Sequence, residues 1–352
     1  ATGTLFSFKL SDIGWRKEQW TEIASQYPQT LVRKIDPEIV RIAGTAMPVF
    51  NGDWFAATVT APPLYYGLLG LPANLTELAR MNGVDIDSNI RKSAVRRILV
   101  TKSEVTRANR MIERHPGTRG GFWLVYDFAT SNGAQDLITY PLGPKSATGA
   151  RAAFKPDEIR VIFALPNGFL AYALFNAAGN RIDRVLPGIE RPYAGIEAGS
   201  PEPNTEAAQS CYACHTSGII GARDEFRPFV DTQTGATPSE ARSAAVPLFG
   251  SDSENALLIA GDVDRYLAAL AKGGINPRLQ VRGEEPVSAL VRRYEEDSDL
   301  DAAVEETGAE RGKFVAELAS SGGAAAPLAR RLIHGVLPRA DLDRLFALLK
   351  GI

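Results

Sequence analysis

The 352-residue chain has no apolar run long enough to cross a membrane. A span needs about 20 residues, and the longest candidate, 161–175, is interrupted by Pro166-Asn167-Gly168. There is no charge excess either. The 39 basic and 41 acidic side chains leave a formal net charge of −2, which offers no electrostatic basis for wrapping a nucleic-acid backbone. Internal repeats, phosphate-cradling glycine loops, a G-x-S-x-G elbow and H-E-x-x-H are all missing, so none of those chemistries is signalled. With 45% hydrophobic and 23% charged residues, the composition is that of a soluble globular protein. Its length suits two or three domains of about 150 residues.

Histidine, methionine and cysteine are scarce, at three, three and two residues. Both cysteines and one histidine nevertheless fall in five consecutive positions, Cys211-Tyr212-Ala213-Cys214-His215. C-x-x-C-H is the attachment pattern of a c-type haem. Two thioethers require cysteines one helical turn apart, and the iron requires a histidine directly after the second. A helix over 206–214, capped by Asn204 or Thr205 after Pro203, supplies that spacing. A zinc site would need further ligands, for which only His115 and His334 remain. A thioredoxin-like redox site would need a βαβ setting, which the surrounding pattern does not present.

The remaining pattern predicts an α+β chain. Helices are expected over 12–25, 37–42 and 75–81, and a strand over 53–60. A helix starting at Thr101, with Glu104 completing a capping box, runs through Met111 and ends at or before His115, ahead of Pro116. Strands over 122–128, 136–140, 159–165 and 169–176 predict an antiparallel sheet, because no helix-length crossover separates them. Residues 187–203 read as a Pro/Gly-rich linker. Beyond it, periodic segments at 204–214, 238–248, 252–272, 285–297, 298–307, 309–320, 325–335 and 339–349 predict helices. The expected division is an α+β domain, 1–195, that docks a partner or forms a distal pocket, then a helical haem domain, 196–352.

The motif region resembles the haem-binding helix of class I cytochromes c, over about residues 200–272. That resemblance implies an all-α cytochrome c-like domain with one covalent haem c, His215 as proximal ligand, and a proline carbonyl on the proximal imidazole, for which Pro228 is the counterpart. It also implies a methionine after the motif as sixth ligand. Here Met47, Met81 and Met111 all precede it. The alternatives for the distal position are His115 (also the one candidate catalytic residue), Met111 on the same helical face, His334, a lysine such as Lys272 or Lys313, or an open site. Arg107, Arg110, Arg114, Arg223 and Arg227 are candidate partners for the haem propionates. The run 161–172 with Gly179-Asn180-Arg181-Ile182-Asp183 also resembles large predicted bacterial mono-haem proteins.

The chain opens at Ala1 without a methionine or an apolar h-region, as it would after signal-peptide removal, so an exported, periplasmic protein is expected. The function expected from the sequence is electron transfer through the haem to a redox partner protein. A haem oxidoreductase of peroxidase or oxygenase type, acting on a small-molecule substrate, is the alternative, and a haem-based ligand sensor is a further one. A di-haem peroxidase is excluded, since two cysteines provide only one attachment motif. The segment 298–318 superficially resembles a helix-turn-helix, but its acidic flanks oppose phosphate, so a supporting helical hairpin is expected. The pairs Trp54-Phe55, Tyr65-Tyr66 and Phe122-Trp123 are expected mainly to fill cores.

Overall fold

The computed structural model describes residues 9–27, 36–44, 47, 50–144, 153–191, 207–233, 235, 237–280 and 283–349. The fold is α+β, combining helices with a six-stranded antiparallel sheet. The chain forms two compact units, one joining Ala1–Thr60 to Val287–Ile352 and the other running continuously over Ala61–Pro286. The expected boundary at residue 195 therefore falls inside the continuous unit. The segment 207–286 belongs with the sheet, and the C-terminal helices belong with the chain's start.

In the continuous unit the sheet is a meander in sequence order: β1 (Arg96–Val100), β2 (Arg110–Gly117), β3 (Gly120–Asp127), β4 (Glu158–Ala164), β5 (Leu170–Asn176) and β6 (Arg181–Ile182). Pro166-Asn167-Gly168 forms the expected turn between β4 and β5, with Gly168 at φ +87°. A Cβ there would meet the Ala269 Cβ at 2.8 Å, so the turn depends on glycine twice over. The two-residue β6 leaves much of β5's edge uncovered. The hydroxyls of Tyr65 and Tyr66 complete that edge, accepting from the Tyr172 and Leu174 amides at 3.0 and 3.3 Å.

Three local expectations are corrected. Residues 101–109 are irregular, and the chain then enters β2 rather than continuing a helix. The capping box is not made: the Thr101 hydroxyl bonds Glu225, while Ser103 Oγ accepts from the amides of Val105 and Thr106. Such side-chain bonds to nearby backbone compete with a helical start. Residues 53–60 lie mostly in a helix, Gly52–Val59, burying Trp54, Ala56 and Ala57; packing has overridden strand propensity. Residues 136–140 form turns, because Asp136 accepts from the Ile138 amide and the Thr139 hydroxyl. The helix Asp252–Lys272 has the expected bounds and a complete Ser251–Glu254 capping box.

Among its described residues, the regular elements of the discontinuous unit are helices and a pair of two-residue strands, Ser298–Asp299 and Val336–Leu337. Its core gathers Phe314, Leu318, Leu332, Leu342, Leu345 and Phe346. Helices Leu300–Thr307 and Arg311–Ser320 follow one another as expected, but they belong to this unit and not to the one that holds the cysteine motif they were expected to support. Arg339 binds Glu306 and Asp343 beside the Tyr294 ring. Trp54 packs on Tyr27 and Phe50 and Phe55 on Trp20, so that aromatic pair fills core.

Candidate functional site

Cys211 and Cys214 lie on a short helix, Gln209–Cys214, with His215 as its C-cap. The helix begins at Gln209, later than expected; the caps Asn204 and Thr205 and the first helical residue, Glu206, lie outside the described residues. Its start is a tight γ-turn. Ala208, fully buried, sits at φ +68° and ψ −53°, and the Gln209 amide donates to the Ala207 carbonyl at 2.9 Å. That conformation is strained for a residue bearing a Cβ, and such strain gathers at functional sites.

Both thiols are free, Cys211 half-buried and Cys214 exposed. Together with His215 they line a cavity of about 320 Å³, within the size range of small-molecule sites. The opposite wall is one face of the sheet, presenting Ile98, Ile112, Val125, Ile162 and Leu174. The His215 ring lies 5.7 Å from that of Tyr172. Its Nδ1 is 3.0 Å from the Gly218 carbonyl oxygen. Donation to that oxygen would fix the tautomer and leave Nε2 as the uncommitted nitrogen. Burial lowers the pKa of His215, favouring the neutral imidazole that ligates metals, and pushes the Cys211 thiol up to about 11.

At the cavity's edge Arg110 forms a bidentate pair with Asp127, at 2.8 and 2.9 Å. Arg160 approaches Asp127 at 2.8 Å, Glu158 at 3.0 Å and Glu190 at 2.7 Å. Its Nη2 is buried without a hydrogen-bond partner. Burial raises Glu158 to about 7 despite the pull of Arg160.

The structure separates most of the sequence-predicted partners from this cavity. Because β2 is a strand, Met111 and His115 point to the opposite face from Arg110 and Ile112. His115 is fully buried, its Nε2 2.8 Å from Glu113 and its Nδ1 3.3 Å from the Asn89 amide. Glu113 also accepts from Arg97 at 2.7 Å and Tyr126 at 2.9 Å. His115 thus belongs to a structural network, with neither nitrogen available as a distal ligand, and Met111 is core. Of the five arginines expected from the sequence only Arg110 lines the cavity. Arg107 donates to the Glu190 carbonyl, Arg114 binds Asp262, exposed Arg223 pairs with Asp252, and Arg227 approaches the Phe249 carbonyl. The Pro228 carbonyl accepts from the Thr232 hydroxyl, and Gly218 takes the place expected for it at the imidazole. His334 ends a helix in the other unit.

Sequence reasoning missed Arg160, Tyr172 and Gly218. Arg160 left a trace, as a single charge inside the apolar run 159–165; the other two are visible only once the chain folds.

The residues present fit a c-type haem. Two thiols one turn apart share a wall with an imidazole whose Nδ1 is engaged, facing a sheet face of apolar residues on which Arg160, between Val125 and Leu174, carries an unpartnered guanidinium nitrogen. Among the described residues, no group of three or more His, Cys, Asp or Glu side chains is arranged to hold a bare metal ion. Comparison with protein-family models, curated proteins and solved structures gives no match for this chain.

Proposed function

We propose that the chain is an exported mono-haem c-type redox protein, with Cys211 and Cys214 as the thioether attachment points and His215 Nε2 as the proximal ligand. A bound haem would supply one-electron redox chemistry and an iron coordination position for a small ligand. The observation that carries this reading is the convergence of both thiols and His215 on one cavity, with Nδ1 held by the Gly218 carbonyl. Hydrogen bonding at Nδ1 raises the basicity of the ligating nitrogen and fixes the ring. Arg110 is taken up by Asp127, so the donor left for a carboxylate group of the cofactor is the unpartnered Nη2 of Arg160. The apolar sheet face excludes water from the opposite side.

Between a carrier and a ligand-binding oxidoreductase, the lining favours the latter. Among the described lining residues there is no methionine and no second histidine; Lys102, exposed, is the one lysine. Intact mass and absorption spectra of matured protein test the assignment. The expected result is a polypeptide heavier by one haem, with a Soret band and rapid carbon monoxide binding to the ferrous form, unchanged in Lys102→Ala. A bare polypeptide mass without a Soret band would sink the haem reading. A six-coordinate low-spin iron that refuses carbon monoxide would restore the carrier.

A further inference from the structure

A second cavity, of about 350 Å³, lies in the continuous unit between the β4–β5 turn and the C-terminal half of the helix Asp252–Lys272. Its apolar floor is Trp123, Leu170 and Ile219, and the Tyr266 ring lies at its side. Three cationic side chains, Arg119, Arg265 and Lys272, also line it, against one carboxylate, Asp262.

That carboxylate is already saturated. Asp262 accepts from Arg114 at 2.8 and 3.2 Å, from the Gly121 amide at 2.9 Å and from the Trp123 indole at 3.0 Å, and it also binds Arg265. Arg114 and Arg265 thus share one negative charge. Arg119 and Lys272 have no ion-pair partner among the described residues. The site therefore carries net positive charge above an aromatic, apolar floor. The indole edge is fixed by its bond to Asp262, so the ring is held in one orientation.

From this we infer that the second cavity binds a small aromatic carboxylate, its ring against Trp123 and Tyr266 and its carboxylate on Arg119 and Lys272. A guanidinium and an ammonium are the groups that recognise carboxylates, and a cavity of this size suits a single ring with substituents. Trp123 and Ile219 also line the first cavity, so the ligand would lie one side chain away from the proposed haem position. The inference goes beyond the redox reading and does not rest on it.

The test is isothermal titration of the full-length protein with benzoate, using neutral benzamide as the control. Benzoate is expected to bind saturably at one site, with benzamide at least tenfold weaker. An Arg119→Ala/Lys272→Ala double variant should weaken benzoate at least tenfold while keeping the parent melting temperature, since both side chains are exposed. Added salt should weaken binding as well. Absence of saturable binding, equal affinity for benzamide, or an unaffected double variant would each overturn the proposal. Haem content, read from intact mass on the same sample, reports separately on the redox assignment.

Discussion

Ala208 shows how a single residue is held against its own preference. Its positive φ places the cysteine helix immediately after a buried γ-turn. Glycine adopts that backbone without the Cβ penalty, so Ala208→Gly is expected to stabilise the fold by about 1 kcal/mol, read by urea denaturation. Two buried carboxylates act on pH dependence in opposite directions. Burial opposes ionisation of Glu113, but Arg97 and His115 outweigh it and hold the carboxyl at about 2. The unfolded chain then binds the extra proton, so this contribution, about 3 kcal/mol, is present above an unfolded pKa of about 4.3 and is lost as pH falls toward 2. Glu158, raised to about 7, has the reverse sign. The folded state binds the extra proton, and stability falls as pH rises from about 4.3 to 7. Denaturation measured across this range should show wild-type stability declining toward neutrality, by about 3 kcal/mol from this one group. Glu158→Gln should flatten that limb, and an unchanged slope would refute the assignment.

Among the elements, the helix Asp252–Lys272 and strand β2 mark the two extremes of legibility. The helix was readable because its determinants are local: Ser251 and Glu254 cap each other and the apolar spacing is regular. Thr101 and Glu104 present the same signal ahead of β2, but the Thr101 hydroxyl bonds Glu225, far along the chain. The burial of Met111, Glu113 and His115 follows a period of two that depends on Arg97, Tyr126 and Asn89 closing around Glu113 and His115. Asp262 shows what docks the helix on the sheet, since Arg114, the Gly121 amide and the Trp123 indole all end on it. Asp262→Ala would leave those donors unsatisfied and is expected to cost about 3 kcal/mol, measured by chemical denaturation. Arg114→Ala, which leaves the other donors paired, should cost less.

The whole molecule is organised differently from its linear order. Composition suggested a boundary at the Pro/Gly-rich segment near 195, yet the contacts place the break after Thr60 and again near Pro286. A linear reading cannot reveal that the two ends of the chain share one unit. The fragment 61–286 contains the entire sheet and the cysteine motif. Expressed alone, it is expected to melt cooperatively and, if the haem proposal holds, to carry the same Soret band as the full chain. A fragment lacking a cooperative transition by circular dichroism would show that the unit depends on the chain ends.

The grouping of Cys211, Cys214 and His215 was legible in the sequence because their spacing along the chain is that of one helical turn. The α+β class was likewise visible in alternating and helical periodicities and in the turn at Pro166-Asn167-Gly168. The walls of the cavity were not. Arg110, Arg160 and Tyr172 come from three different strands and meet the cysteine helix through long-range packing, and which face of a strand is turned toward that helix shifts with a single residue of register.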